Sequence, residues 1–142
     1  MRYLICGLVL AGALVAQDVA AQSTAAQTQE ILATVRLSQP VFADGKPLAV
    51  GTYQVRLTQD RPSPLAGQTA EAQQWVEFVA DGKVVGREIA EVLRDSDPSP
   101  VGTSSIPARK GSRVELLKGG EFVRVSATRG GERYLIYLPT SQ

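Results

Sequence analysis

The sequence predicts an all-β domain: a single antiparallel β-sandwich, with a small flattened β-barrel as the alternative, of about seven or eight short strands. Three observations predict it. The dipeptides Gly119-Gly120 and Gly130-Gly131 separate runs in which apolar and polar residues alternate. The tetrapeptide Ala-Asp-Gly-Lys stands at residues 43–46 and again at 80–83, each time between such runs. Glycine reaches the positive φ that a type I′ turn needs without steric cost, so Gly-Gly and Asp-Gly between alternating runs are hairpin signals.

Residues 1–21 are expected to be a signal peptide. Arg2 precedes an apolar run from Leu4 to Ala16, and small residues end the segment at Ala20-Ala21 before Gln22. The run is shorter than the roughly 20 apolar residues of a membrane span, so cleavage near Ala21 and a periplasmic or extracellular destination are expected. Cys6 lies near the beginning of the apolar run, not just after it as in a lipoprotein, and leaves with the leader.

The expected mature chain contains no Cys, His or Met, and the whole sequence contains no Asn. These absences exclude disulfides, imidazole bases, Ser-His and Cys-His pairs, and the usual zinc, copper or haem ligand sets. No cofactor or metal is expected. Removing Arg2 and Asp18 leaves the formal charge at +1, too weak a field to recruit nucleic acid.

Residues 22–30 are small and polar and read as a flexible lead-in to an antiparallel β domain over residues 31–142. In the run 31–37, Ile31, Ala33, Val35 and Leu37 are expected on one face. Pro40 ends the run, and Asp44-Gly45 is a tight turn. Residues 48–58 bend at Gly51 and continue as a strand with Tyr53, Val55 and Leu57 facing inward. Residues 60–74, with Pro62, Pro64 and Gly67, form a loop in which 70–74 could add a helical turn. The runs 75–80 and 83–92 form a hairpin about Asp81-Gly82, pairing Phe78 with Val85, Val79 with Val84 and Val76 with Arg87. A short helix over 87–94 is the alternative to its second strand.

The stretch 113–138 carries the clearest register. The two Gly-Gly turns set Val114 opposite Val125, Val125 opposite Ile136 and Ala127 opposite Tyr134. Both therefore place Val114, Leu116, Val123, Val125, Ala127, Tyr134, Ile136 and Leu138 on one core face. Glu115 and Arg124 pair across the other face, which is polar enough to meet solvent yet apolar enough to be partly covered.

The element Leu48-Ala49-Val50-Gly51-Thr52-Tyr53-Gln54-Val55 resembles the Gly-Thr-Tyr entry to a strand in secreted bacterial β-sandwich modules of transthyretin-like or immunoglobulin-like type. The resemblance covers under a tenth of the chain and implies an exported accessory module, with no functional residue carried over.

Candidate contact residues come from the long stretch 95–112, which holds Pro98, Pro100 and Pro107 and no apolar periodicity. Asp95, Asp97 and Ser99 begin like a calcium loop, but the required Gly and the bidentate Glu are missing, so a solvated turn is expected. Arg109 and Lys110, with Arg113, could meet an anionic polymer or a protein; the bland alternative is a solvated rim. Trp75 with Tyr53 could form a sugar-stacking platform, although a lone Trp in an alternating strand is more often core. Glu77 and Glu88 could be a carboxylate pair, with no evident substrate pocket to serve. The expected function is an exported, non-enzymatic binding or accessory module whose partner is a protein or envelope polysaccharide, met through loops or a sheet edge. A carrier holding an apolar ligand in a barrel mouth is the alternative.

Overall fold

The computed structural model describes residues 30–94 and 111–141; the expected signal peptide, the lead-in up to residue 29 and the loop residues 95–110 lie outside them. The chain is all-β. Its strands, in order, are β1 (Glu30–Leu37), β2 (Val41–Ala43), β3 (Lys46–Leu48), β4 (Gly51–Leu57), β5 (Gln73–Ala80), β6 (Lys83–Arg94), β7 (Gly111–Leu116), β8 (Phe122–Arg129) and β9 (Glu132–Pro139), with one 3₁₀ turn at Ala70–Ala72. Seven strands form one antiparallel sheet in the order β1-β4-β5-β6-β9-β8-β7, and β2 and β3 pair only with each other. The sheet coils until β1 and β7 come within 8 Å, Cα to Cα. That is the layout of a nearly closed, flattened barrel.

The turns form for the reasons read from the sequence. Gly130 and Gly131 have φ of 60° and 81°, and the pairs Asp44-Gly45 and Asp81-Gly82 also lie at positive φ, as type I′ geometry requires. The β7–β8 connection keeps the expected register, Val114 opposite Val125 and Leu116 opposite Val123, but its turn sits one residue earlier. Gly120 N–H donates to the Leu117 carbonyl at 2.9 Å, so Lys118 and Gly119 are the central residues, with Gly119 at φ 102°. The Thr140 hydroxyl fixes this loop by donating to the Gly120 carbonyl at 2.7 Å.

Two β-bulges move side chains from where strict alternation puts them. Between Ile31 and Ala33 the β1–β4 register slips, which turns Leu32 inward and leaves Ile31 44% exposed. In the β5–β6 hairpin, Val79 faces Val84 as expected, but Phe78 then faces Gly86 and Val76 faces Glu88. Val85 is the extra residue, and a bulge of this kind flips every side chain beyond it. Residues 87–94 are strand, so the helical alternative is set aside.

Inside, Val55, Phe78, Val125, Ile136 and Leu138 have no accessible surface. Tyr53 meets Phe78 edge to face, ring centres 6.3 Å apart. The β2–β3 hairpin, inserted between β1 and β4, closes one end: Val41, Ala43 and Leu48 are buried and seat on β6 at Gly86. A Cβ there would come within 3.1 Å of Leu48 Cδ2 and 3.2 Å of Ala43 Cβ. The Glu88 carboxylate, which the bulge turns to the same side, accepts the Asp44 amide at 2.8 Å. Three apolar side chains and one hydrogen bond thus hold the hairpin as a plug.

Candidate functional site

The plug defines two unlike ends. At the plug end lie the hairpin and two short turns, β5–β6 and β7–β8. The other end carries both long connections, 58–72 and 95–110, together with the β8–β9 turn. Arg94 and Gly111, where the second connection leaves and returns, flank β9 and β8. They stand three strand spacings apart, about 14 Å, so topology alone demands only a handful of residues there.

At this loop end, charged side chains gather over the barrel mouth. Glu132 bonds both Arg94, Nε to Oε1 at 3.3 Å, and Tyr134, whose hydroxyl donates to Oε2 at 2.8 Å. Arg129 reaches across the gap between the sheet edges to pair with Glu30 and to donate to the Ile31 carbonyl. The 58–72 connection is tied down by Thr58, whose hydroxyl donates to the Trp75 carbonyl at 2.9 Å and accepts the Asp60 amide at 3.2 Å. Gln74 Nε2 donates to the Thr58 carbonyl at 2.6 Å, and Arg61 Nη1 to the Ala70 carbonyl at 3.3 Å.

Burial, the hydrogen bond to Glu132 and the negative charges of Glu132 and Glu30 push the Tyr134 phenol up to about 12, with Arg61 opposing. A phenol raised above its usual value of about 10 stabilises the fold below that pH and loses its contribution as pH rises from about 10 to 12. Absorbance titration should therefore show a tyrosine ionising near pH 12 that vanishes in Tyr134→Phe, and unfolding should become easier above about pH 10. A tyrosine spectrum that titrates wholly near 10 would contradict the buried pair.

The sequence-predicted contact residues do not form one site. Arg109 and Lys110 lie outside the described residues. Arg113 is on β7, on the outer face, where it bonds Glu115 at 2.8 Å; Glu115 gives its other oxygen to Arg124, also at 2.8 Å. The expected Glu115–Arg124 pair is therefore one half of a shared carboxylate, and Arg113 is partly neutralised. Burial works against the Arg124 charge, but hydrogen bonds to Glu115 and Tyr137 outweigh it and raise its pKa. Trp75 is on the outer face of β5, four strands from β7 in the sheet.

Trp75 is also not a core residue: it is half-buried outside the barrel, and the Arg87 guanidinium lies 4.3 Å from its ring centre. Tyr53 points into the core. Tyr53 and Trp75 thus occupy opposite faces, and the sugar platform is not assembled. Glu77 and Glu88 are separated in the same way, Glu77 facing Arg56 and Arg87 outside and Glu88 holding the plug.

Sequence reasoning missed the Arg87–Trp75 stack and the Glu132–Tyr134–Arg94 cluster. The stack depends on the Val85 bulge, and Gly86 in mid-strand was the one available sign of it. The cluster comes from β6 and β9, strands distant in sequence, which no local pattern pairs. Comparison with known protein families, curated proteins and solved structures finds no match. Function must be argued from geometry. No helix among the described residues is long and apolar enough to cross a membrane, which leaves β-barrel spans unaddressed.

Proposed function

We propose that the chain is an exported, non-enzymatic binding module that contacts a protein or envelope polymer through its loop end. One observation carries the reading: both long connections emerge at the same end as the Arg94, Glu132, Arg129 and Glu30 side chains, while the opposite end is plugged. Polar groups on loops over a rigid scaffold are the usual arrangement for recognition. The carrier alternative receives less support, because the central inward side chains Val55, Phe78, Val125, Ile136 and Leu138 have no accessible surface to offer a ligand. A protein surface is favoured over a sugar chain, since Trp75 is covered on one face by Arg87 and the ring pair among the described residues, Tyr53 with Phe78, lies inside the barrel.

Export and cleavage near Ala21 are part of the proposal and rest on the leader pattern. The test is capture from envelope extract by residues 22–142, compared with a variant in which residues 96–110 are replaced by a Gly-Ser bridge long enough to span about 14 Å. The bridged protein should melt within a few degrees of the parent and lose the captured partner. Unchanged capture by the bridged protein would remove the loop end from consideration.

A further inference from the structure

We propose that the gap between β1 and β7 accepts an extended segment of a different protein, which completes the barrel as its eighth strand. This surface is separate from the loop-end reading and stands or falls independently of it.

The argument begins with strand parity. Seven strands in strict antiparallel succession leave the first and last pointing the same way, so β1 and β7 meet as parallel neighbours. Parallel pairing is slightly the weaker kind, and among the described residues no ladder joins these two strands. Side chains tie the edges: Ser112 Oγ donates to the Thr34 carbonyl at 3.3 Å, and Arg129, on the next strand β8, reaches Ile31 and Glu30. A strand running in the direction of β4 and β8 would be antiparallel to both edges at once.

The inward positions beside the gap lack cover. Ser112, Val114 and Leu116 share the core-facing side of β7, yet Ser112 is exposed, Val114 is only partly buried and Leu116 is 55% exposed. Ala33, across the gap on β1, is likewise only partly buried against the core. Leu116 was expected in the core because its alternation with Val114 and Val123 demands it. It is uncovered because β7 is the last strand.

The edge also selects its occupant. Unpaired backbone groups on a sheet edge recognise the backbone of an extended chain, and the uncovered Val114 and Leu116 call for apolar side chains at alternate positions. The chain's own flanking segments suit poorly by sequence. Residues 22–29 offer nothing larger than Ala as an apolar side chain, and residues 95–110 contain Pro98, Pro100 and Pro107, each lacking a donor that a strand paired on both sides needs. A partner strand free of proline is the better fit. Seating it requires two ladder spacings, about 9.6 Å, so edges within 8 Å must part by at least about 2 Å and release both the Ser112 bond to Thr34 and the half-exposed Arg129–Glu30 pair, a weak tie.

The test supplies the strand in cis. β9 ends at the plug end, where the eighth strand would begin, so a copy of Phe122–Arg129 is appended after Gln142. A Gly-Ser linker of about eight residues, with a root-mean-square reach of about 16 Å, covers the offset. The mature chain has no cysteine, and Leu116→Cys supplies a unique thiol at the gap. The fusion should gain hydrogen-exchange protection on β1 and β7 and slow alkylation of that thiol by about tenfold or more; the same fusion with Val125→Pro in the appended copy should do neither, because proline removes a ladder donor. Three results would overturn the proposal: unchanged exchange and alkylation in the fusion, equal effects from the proline-bearing copy, or protection lost from β8 because the copy replaces the native strand. Concentration-dependent shielding of the thiol without any appended strand would also overturn it, by making a second copy of this chain the occupant.

Discussion

Val125→Asp is expected to cost about 3–5 kcal/mol, the penalty of an unpaired buried carboxylate, which rivals the whole stability of a small domain. Val125 has no accessible surface and faces Val114 on one side and Ile136 on the other. The natural reference on the same strand is Thr128→Asp, on the outer face and partly exposed, for which a change within about 0.5 kcal/mol is expected. Ser126 would be a poor reference, because it is buried although it faces outward. Equal melting temperatures for the Val125 and Thr128 variants would contradict the placement of the core face.

Gly86→Val is expected to destabilise by about 1–3 kcal/mol through overpacking, and its effect should be localised. Even a Cβ at this position stands at 3.1 Å from Leu48 and 3.2 Å from Ala43, so the two branches of valine collide with the base of the plug. The hairpin must lift. Loss of hydrogen-exchange protection at the Asp44 amide, which Glu88 now accepts, should exceed any loss in β8 or β9. Gly86→Ala should give the same pattern more weakly. Uniform loss across the sheet would mean that β2–β3 is not a separable plug.

How far the fold was legible depends on which devices set each register. The strand pairing of the 113–138 stretch was readable to the residue, since two glycine turns each fixed the same face and the sheet has both registers as read, although the first turn centres on Lys118-Gly119. Elsewhere the alternation was interrupted by bulges at Ile31–Ala33 and at Val85, and a bulge changes facing without altering composition. For the same reason Arg87 was assigned opposite Val76, and the stack on Trp75 stayed hidden. The detachment of β2–β3 from the main sheet was invisible because a hairpin signal says which strands pair and not what the pair rests on. Leu116 shows a third limit: periodicity names the face a residue points to, whereas burial depends on whether a neighbouring strand exists.

The candidate site was less legible than the fold. Arg113 reads in the sequence as a cation that could meet an anionic partner, but Glu115, shared with Arg124, partly neutralises it from two positions along the same strand, a contact that strand alternation permits and charge counting overlooks. Glu132, Tyr134 and Arg94 come together only because β6 pairs with β9 across the β7–β8 hairpin.

The claim on which the account turns is that the interior is shut and recognition is external. Titration of residues 22–142 with anilinonaphthalene sulfonate, an apolar fluorescent ligand, tests it directly. The expected result is no saturable site, with fluorescence near that of free dye until the protein unfolds. Saturable one-to-one binding, weakened by Phe78→Leu at the centre of the barrel, would show that the interior opens to ligands and that the chain works as a carrier.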